Sequence, residues 1–281
     1  MSPRTVLVTG ATGKVGRHLV AKLLERGVDV RALARRPTTA TLPGEAAVVE
    51  GDLQRPETVA AAAEGADAAF LLWPGFSAEG AAEVVEALAR RVEHVVYLSA
   101  ARLQRTDAGP KDGVWADVER LVEDSGVGWT FLRAGGFAAN TLEWAGQIRA
   151  GDVVRIPYPA AGRSLVHEQD LADVAADVLV KGGPKGQAFA LTGPEILTQA
   201  EQVGEIGEAI GRPLHAEELP PDAARRELER AMGRKFAESS VAYWSTLVEA
   251  PERVTDDVTQ VTGHKPRSFA RWARDHVDDF V

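Results

Sequence analysis

The stretch Thr5-Val6-Leu7-Val8-Thr9-Gly10-Ala11-Thr12-Gly13-Lys14-Val15-Gly16 decides how this chain folds. A short apolar run ends in a turn with glycines at Gly10, Gly13 and Gly16, and Val15, Leu19 and Leu23 follow at helical spacing. Each glycine has a physical task. Gly10 permits the tight strand-to-helix turn, Gly13 lets the backbone come close to a pyrophosphate, and Gly16 lets the helix pack closely on the strand. The helix would begin at the phosphates, offering free N–H groups and the positive end of its dipole, with Thr12, Lys14 and Val15 beside the anion. Taken alone, the same turn could serve packing only.

Outward from this turn, strands alternate with helices. Gly27 is a plausible stop for the first helix, and Val28 to Ala34 reads as a second strand. An acidic side chain at the tip of that strand would select a free ribose 2′-hydroxyl. Here the chain has Arg35-Arg36-Pro37 instead, and two guanidinium groups suit a 2′-phosphate through paired, charge-assisted hydrogen bonds. A solvated basic turn is the bland alternative. Ala46 to Glu50 reads as a third strand running into Gly51-Asp52-Leu53, where Asp52 either accepts from an adenine amino group or shapes a turn. Pro56 to Glu64 reads as a helix and Ala68 to Leu72 as a buried strand that runs into Trp73-Pro74-Gly75-Phe76. A helix over Ala78 to Arg91 leads to a fifth strand, His94 to Ser99.

This alternation implies a parallel, doubly wound, Rossmann-type α/β sheet, in which ligands bind beyond the carboxyl ends of the strands. Leu72, Trp73, Phe76 and Ser99 would lie on that rim. Further on, the sequence predicts a helix over Gly113 to Ser125, a strand over Trp129 to Arg133, a short strand at Val153 to Ile156, and a helix over Glu168 to Lys181. Gln187 to Leu191 reads as another strand, and Thr198-Gln199-Ala200-Glu201 has the spacing of a capping box. The expected organisation is a dinucleotide-binding core over residues 1–135 and a smaller, mostly helical cap over 136–281, with segments that return to the core sheet.

Composition narrows the partners. A formal charge of −9 over 281 residues disfavours a nucleic-acid backbone as main partner, since phosphate contacts require a basic surface. The absence of cysteine removes disulfides, thiolate nucleophiles and cysteine metal sites. Met1-Ser2-Pro3-Arg4 carries no signal-peptide pattern, and no apolar run approaches membrane-spanning length, so no membrane partner and a cytoplasmic location are expected.

Thr9 to Gly16, Gly51-Asp52-Leu53 and Val96-Tyr97-Leu98-Ser99 resemble the pattern of the atypical short-chain dehydrogenases/reductases. Glu119 to Gly126, and Trp129 to Arg133 continuing to Asn140, resemble the NmrA-like branch. Within it the chain is most similar to the NADPH-dependent quinone oxidoreductase and triphenylmethane reductase group. Arg163-Ser164-Leu165-Val166-His167 leading to Asp170 is similar to that group's later segment. The resemblance implies NADP(H) as cofactor, a small aromatic or quinone-like substrate between the nicotinamide and the cap, no metal, and a monomer or homodimer.

Typical members pair a proton-transferring tyrosine with a lysine four residues later, and no tyrosine here fits. Tyr97 is followed at that spacing by Ala101, Tyr158 by Gly162 and Tyr243 by Leu247, while the equivalent helix positions are Trp115 and Glu119. Reducing a simple ketone creates an alkoxide that requires a matched donor. Hydride transfer to a quinone or conjugated cation demands less, because a hydroquinone oxygen ionises near the tyrosine value of about 10. Ser99 and Asn140 are the polar groups expected near the reacting carbonyl, with Trp115 and Glu119 as the other catalytic candidates. For Asn140 a loop-tying role, and for Glu119 an ion-paired helix role, remain open. Trp73, Phe76, Trp115, Phe137, Asn140, Trp144 and Tyr158 would wall a flat, apolar substrate. His167 and Asp170 make a poor metal pair without a third ligand, and Asp170 reads as support for a helix N-terminus. Two other functions fit the same residues: a dinucleotide-binding redox sensor without turnover, and a biosynthetic tailoring reductase or isomerase.

Overall fold

The computed structural model describes residues 4–101, 113–183 and 185–281. Met1, Ser2 and Pro3, where no signal-peptide pattern is expected, lie outside the described residues.

The first half alternates as expected: β1 (Thr5–Val8), α1 (Gly16–Glu25), β2 (Asp29–Ala34), β3 (Ala47–Glu50), α2 (Pro56–Ala63), β4 (Ala68–Leu71), α3 (Ala81–Ala89), β5 (His94–Ala100), α4 (Gly113–Asp124) and β6 (Gly128–Ala134). A 3₁₀ segment, Ala138–Trp144, opens the second half. It is followed by α5 (Ala145–Ala150), β7 (Val153–Ile156), β8 (Gly162–Arg163), α6 (Glu168–Lys181), β9 (Gln187–Leu191), β10 (Leu197–Thr198), α7 (Gln199–Ile210) and β11 (His215–Glu218). The chain ends in α8 (Pro221–Met232), α9 (Arg234–Thr246), α10 (Asp257–Thr262), α11 (Phe269–Asp275) and α12 (Val277–Phe280).

Seven strands form one parallel sheet in the order β3-β2-β1-β4-β5-β6-β9. The order reverses between β1 and β4, which opens a crevice at the carboxyl ends of those strands. Successive side chains serve opposite faces. Val6 and Val8 join α1 and α6 in one buried cluster, while Leu7 joins α2, α3 and α4 in another. The central strands are covered on both faces and mostly apolar, and β4 is buried at every residue.

A third core holds the rest together. Ile148, Val154, Ile156, Leu165, Val203, Ile206 and Trp272 pack among α5, β7, α7 and α11. The capping box forms: Thr198 Oγ1 accepts from Glu201 N at 3.2 Å, and Glu201 Oε2 accepts from Thr198 N at 2.7 Å. The late strand β9 pairs with β6, so a segment beyond residue 135 completes the core sheet.

The first turn of α6 is a buried polar junction. His167 caps the helix, its Nδ1 accepting from Gln169 N at 3.1 Å. Asp170 lies in that first turn and also accepts from Arg267 N at 2.7 Å while pairing with the Arg267 guanidinium. Glu168, 1% exposed, accepts from Trp272 Nε1 at 3.1 Å and from His276 Nε2 at 2.7 Å, fixing α11 and α12 against α6.

Among the element boundaries that shift from the sequence expectation, two helix starts have a clear local cause. The helix expected from Ala78 starts at Ala81, because Gly80 adopts φ +80° and Ala81 N closes a turn onto Ala78 O. Helix α1 starts at Gly16 rather than at the turn itself, because residues 10–13 close a separate turn, Gly13 N donating to Gly10 O at 2.9 Å.

Candidate active site

The glycine turn has the geometry its spacing implies. Gly10 sits at φ +61°, a left-handed conformation that side chains disfavour. A Cβ on Gly16 would lie 2.7 Å from the Gly10 carbonyl carbon and 2.8 Å from Ala11 Cα, so this approach of helix to turn requires glycine. Helix α1 has no acidic residue in its first turn and no side-chain cap, which leaves the positive end of its dipole for an anion. Thr9, missed in the sequence reading, braces the turn: its buried Oγ1 accepts from Leu72 N at 2.9 Å. A threonine ending an apolar strand was the available signal.

Around the crevice, Arg35 and Arg36 are exposed at the carboxyl end of β2. Asp52 Oδ1 accepts from Gln54 N at 3.0 Å, which is the turn-shaping role, and Leu53 is half-buried against the α2 side of the sheet. The Trp73 indole donates to Ser77 O at 2.7 Å and so holds its own loop, while Phe76 is 52% exposed and meets the Phe236 ring of α9 at 4.3 Å.

At the end of β5, Ser99 is 3% exposed, and its Oγ is buried with no hydrogen-bond partner among the described residues. Its register neighbour on β6 is Arg133. That guanidinium holds Glu119 of α4 in a two-pronged pair, with Nε to Oε1 at 3.0 Å and Nη2 to Oε2 at 2.7 Å. Glu119 therefore has the ion-paired helix role, and a charged residue within the apolar run of β6 was the sequence signal for its partner. Trp115, one turn before Glu119, packs half-buried on the α4 face of the core. The Tyr97 hydroxyl is buried, and burial, reinforced by the Glu119 charge, pushes its pKa well above the usual phenol value.

A cavity of about 380 Å³ lies in the second half of the chain. Phe137, Asn140 and Trp144 line it with Leu165, Gln199, Leu228, Met232 and Trp244. Trp73, Phe76, Trp115 and Tyr158 are outside this lining. Tyr158 instead adopts φ +52° in the loop after β7. The cavity is joined to the glycine turn through Lys14, whose Nζ donates to Ala139 O in the 3₁₀ segment at 2.7 Å. The lining from Leu228, Met232 and Trp244 was not anticipated, because α8 and α9 carry only a generic amphipathic pattern.

The residues present fit a dinucleotide: a glycine cradle that a Cβ would fill, an uncompensated helix N-terminus, and an orphaned Ser99 hydroxyl at the rim. Together, fold and crevice define a dinucleotide-binding protein of the doubly wound class. A family model described as NAD(P)H-binding matches residues 10–181, and the chain belongs to that family. It is 37% identical to a (4-alkanoyl-5-oxo-2,5-dihydrofuran-3-yl)methyl phosphate reductase of Streptomyces griseus, covering 98% of this chain and 99% of that protein. It is 30% identical to an NAD(P)H azoreductase of Xenophilus azovorans over 98% of this chain and 99% of that one. Among solved structures, an NADPH-dependent quinone oxidoreductase of Escherichia coli complexed with NADPH superposes with a TM-score of 0.80 at 20% identity, covering 96% and 99% of the two chains. Among the described residues, no helix is long and apolar enough to cross a membrane.

Proposed function

We propose that this protein is an NADPH-dependent reductase that delivers hydride to a flat, electron-poor small molecule, a quinone or a similarly conjugated carbonyl compound. The observation that carries this reading is at the usual proton-donor helix. There the family resemblance assigns Trp115 to the donor position, and the carboxylate one turn later, Glu119, is held by both prongs of Arg133. A site of this kind suits acceptors whose reduced form is a weak base. The bound dinucleotide would supply the hydride.

The chain's own residues would orient and shield. Gly10, Thr12, Gly13, Lys14, Val15 and Gly16 would cradle the pyrophosphate, and Arg35 with Arg36 would take the 2′-phosphate. Ser99 and Asn140 would donate to the oxygen that gains charge. Phe137 and Trp144 would cover the ring faces of the acceptor and exclude water from it. The relative from Streptomyces griseus supports the same chemistry: its substrate, as named, has a ring double bond conjugated to two carbonyls, so hydride addition yields a delocalised enolate. That likeness favours the tailoring-reductase reading over a sensor without turnover.

The test is NADPH oxidation, followed by absorbance, across a panel of quinones and unsaturated lactones. Turnover with several of them is expected. NADPH binding without oxidation by any acceptor would overturn the reading.

A further inference from the structure

We infer that Glu143 supplies the proton that completes reduction, from the cavity wall rather than from the helix that carries the usual tyrosine. The inference rests on the reductase reading above and adds the one group that reading lacks.

Glu143 lies in the 3₁₀ segment between Asn140 and Trp144, and all three line the cavity. The same segment is tied to the glycine turn by Lys14 Nζ on Ala139 O, so it joins the dinucleotide rim to the cavity. A group mounted there borders both reactants. Three other acids and phenols are engaged or misplaced. Glu119 is clamped by Arg133, the Tyr97 hydroxyl is buried in the core, and Tyr158 is outside the lining.

Arg155 and Arg163 also line the cavity, but Arg155 pairs with Glu217 at 3.4 Å and Arg163 with Glu252 at 3.3 Å. Glu227 on α8 is the remaining carboxylate of the lining. Glu143 is an exposed residue of the lining, yet desolvation of its carboxyl outweighs the Coulombic pull of Lys14 and holds it above its ordinary pKa. A carboxyl raised in this way keeps its proton closer to neutrality, where a donor works best.

A reduced dinucleotide held at the glycine turn would supply hydride to the electron-poor carbon of the acceptor, forming a C–H bond as the conjugated electron pair moves onto the acceptor oxygen. The Glu143 O–H bond breaks and its proton passes to that oxygen. The carboxylate left behind is stabilised by Lys14, and solvent reprotonates it through the open cavity. The acceptor is reduced by two electrons, and the dinucleotide is oxidised by two.

The experiment compares the wild type with Glu143→Gln and Glu143→Asp, using NADPH and a benzoquinone. Dinucleotide and acceptor binding, read by tryptophan fluorescence, should change less than threefold in both variants. In Glu143→Gln, kcat should fall about tenfold, a modest loss because the hydroquinone oxygen is a weak base, with part of the rate restored in Glu143→Asp. The wild-type rate should fall as pH rises through the Glu143 pKa, and the Glu143→Gln profile should be flat there. A wild type that turns over while Glu143→Gln matches its rate and pH profile would overturn the proton assignment alone. So would a loss found only in Glu227→Gln. A wild type that reduces no acceptor would overturn the reductase reading, and this inference with it.

Discussion

At the dinucleotide rim the chain makes its site largely from backbone. Gly10, Gly13 and Gly16 bring main chain against main chain, and the N-terminus of α1 carries no acidic side chain in its first turn. In the cavity it makes the site from side chains drawn from the 3₁₀ segment, α7, α8 and α9. The difference teaches where a sequence is informative. A backbone site forces glycine at fixed spacing within one short stretch. A side-chain site requires only that suitable residues arrive from distant elements.

The largest effect should come from breaking the backbone site. Gly16→Val places branched carbon where the Gly10 carbonyl and Ala11 Cα already are, so dinucleotide binding should become unmeasurable by fluorescence titration. The cavity variants should leave that titration nearly unchanged. Retained binding in Gly16→Val would mean that the turn relaxes and that backbone closeness is not what makes the rim.

Next in size is the response to acid, which separates the core sheet from the C-terminal helices. His94, fully buried at the start of β5, has its pKa lowered to about 4 by burial, with smaller contributions from Arg4 and Lys185. Its folded pKa lies below the unfolded value, so the unfolded chain binds the extra proton. Its contribution is complete above about pH 6.5 and is lost as pH falls toward 4, about 3 kcal/mol in all. His276 runs the other way. Burial opposes its charge, but hydrogen bonds to Glu168 and Asp279 prevail and raise its pKa. Its contribution is complete below pH 6.5 and is lost as pH rises through the folded value. Denaturant unfolding from pH 4 to 8 should show a smaller acid loss in His94→Gln and a smaller alkaline loss in His276→Gln. The same pH profile in both variants would show that neither histidine titrates with folding.

A smaller effect should sharpen the rim itself. Arg35→Ala with Arg36→Ala should weaken NADPH ten- to hundredfold, at about 1.5–3 kcal/mol for a charged contact, and leave NADH nearly unchanged. Equal losses for both cofactors would mean that these arginines do not read the 2′-phosphate.

The sheet and the glycine turn were legible because period and glycine spacing are local. The apolar runs from Thr5 to Val8 and from Ala68 to Leu71 announce buried parallel strands. The cavity was legible in part. Phe137, Asn140 and Trp144 belong to one short segment and reach it together, whereas Trp73 spends its indole on Ser77 and Trp115 packs on the core. Those uses depend on neighbours that the local pattern does not name. Glu119 was ambiguous for the same reason, since its partner, Arg133, lies on another element. Glu143 gave no local signal, because its surroundings are set by Lys14 and the cavity wall, far from it in the chain.

The proposed reductase would favour conjugated acceptors over the simple ketones that require a matched proton donor. The most direct test is the ratio of kcat/KM for a benzoquinone to that for the saturated cyclic ketone of similar size, with NADPH at saturation. A ratio of about 100 or more is expected. Comparable values for the two acceptors would contradict it.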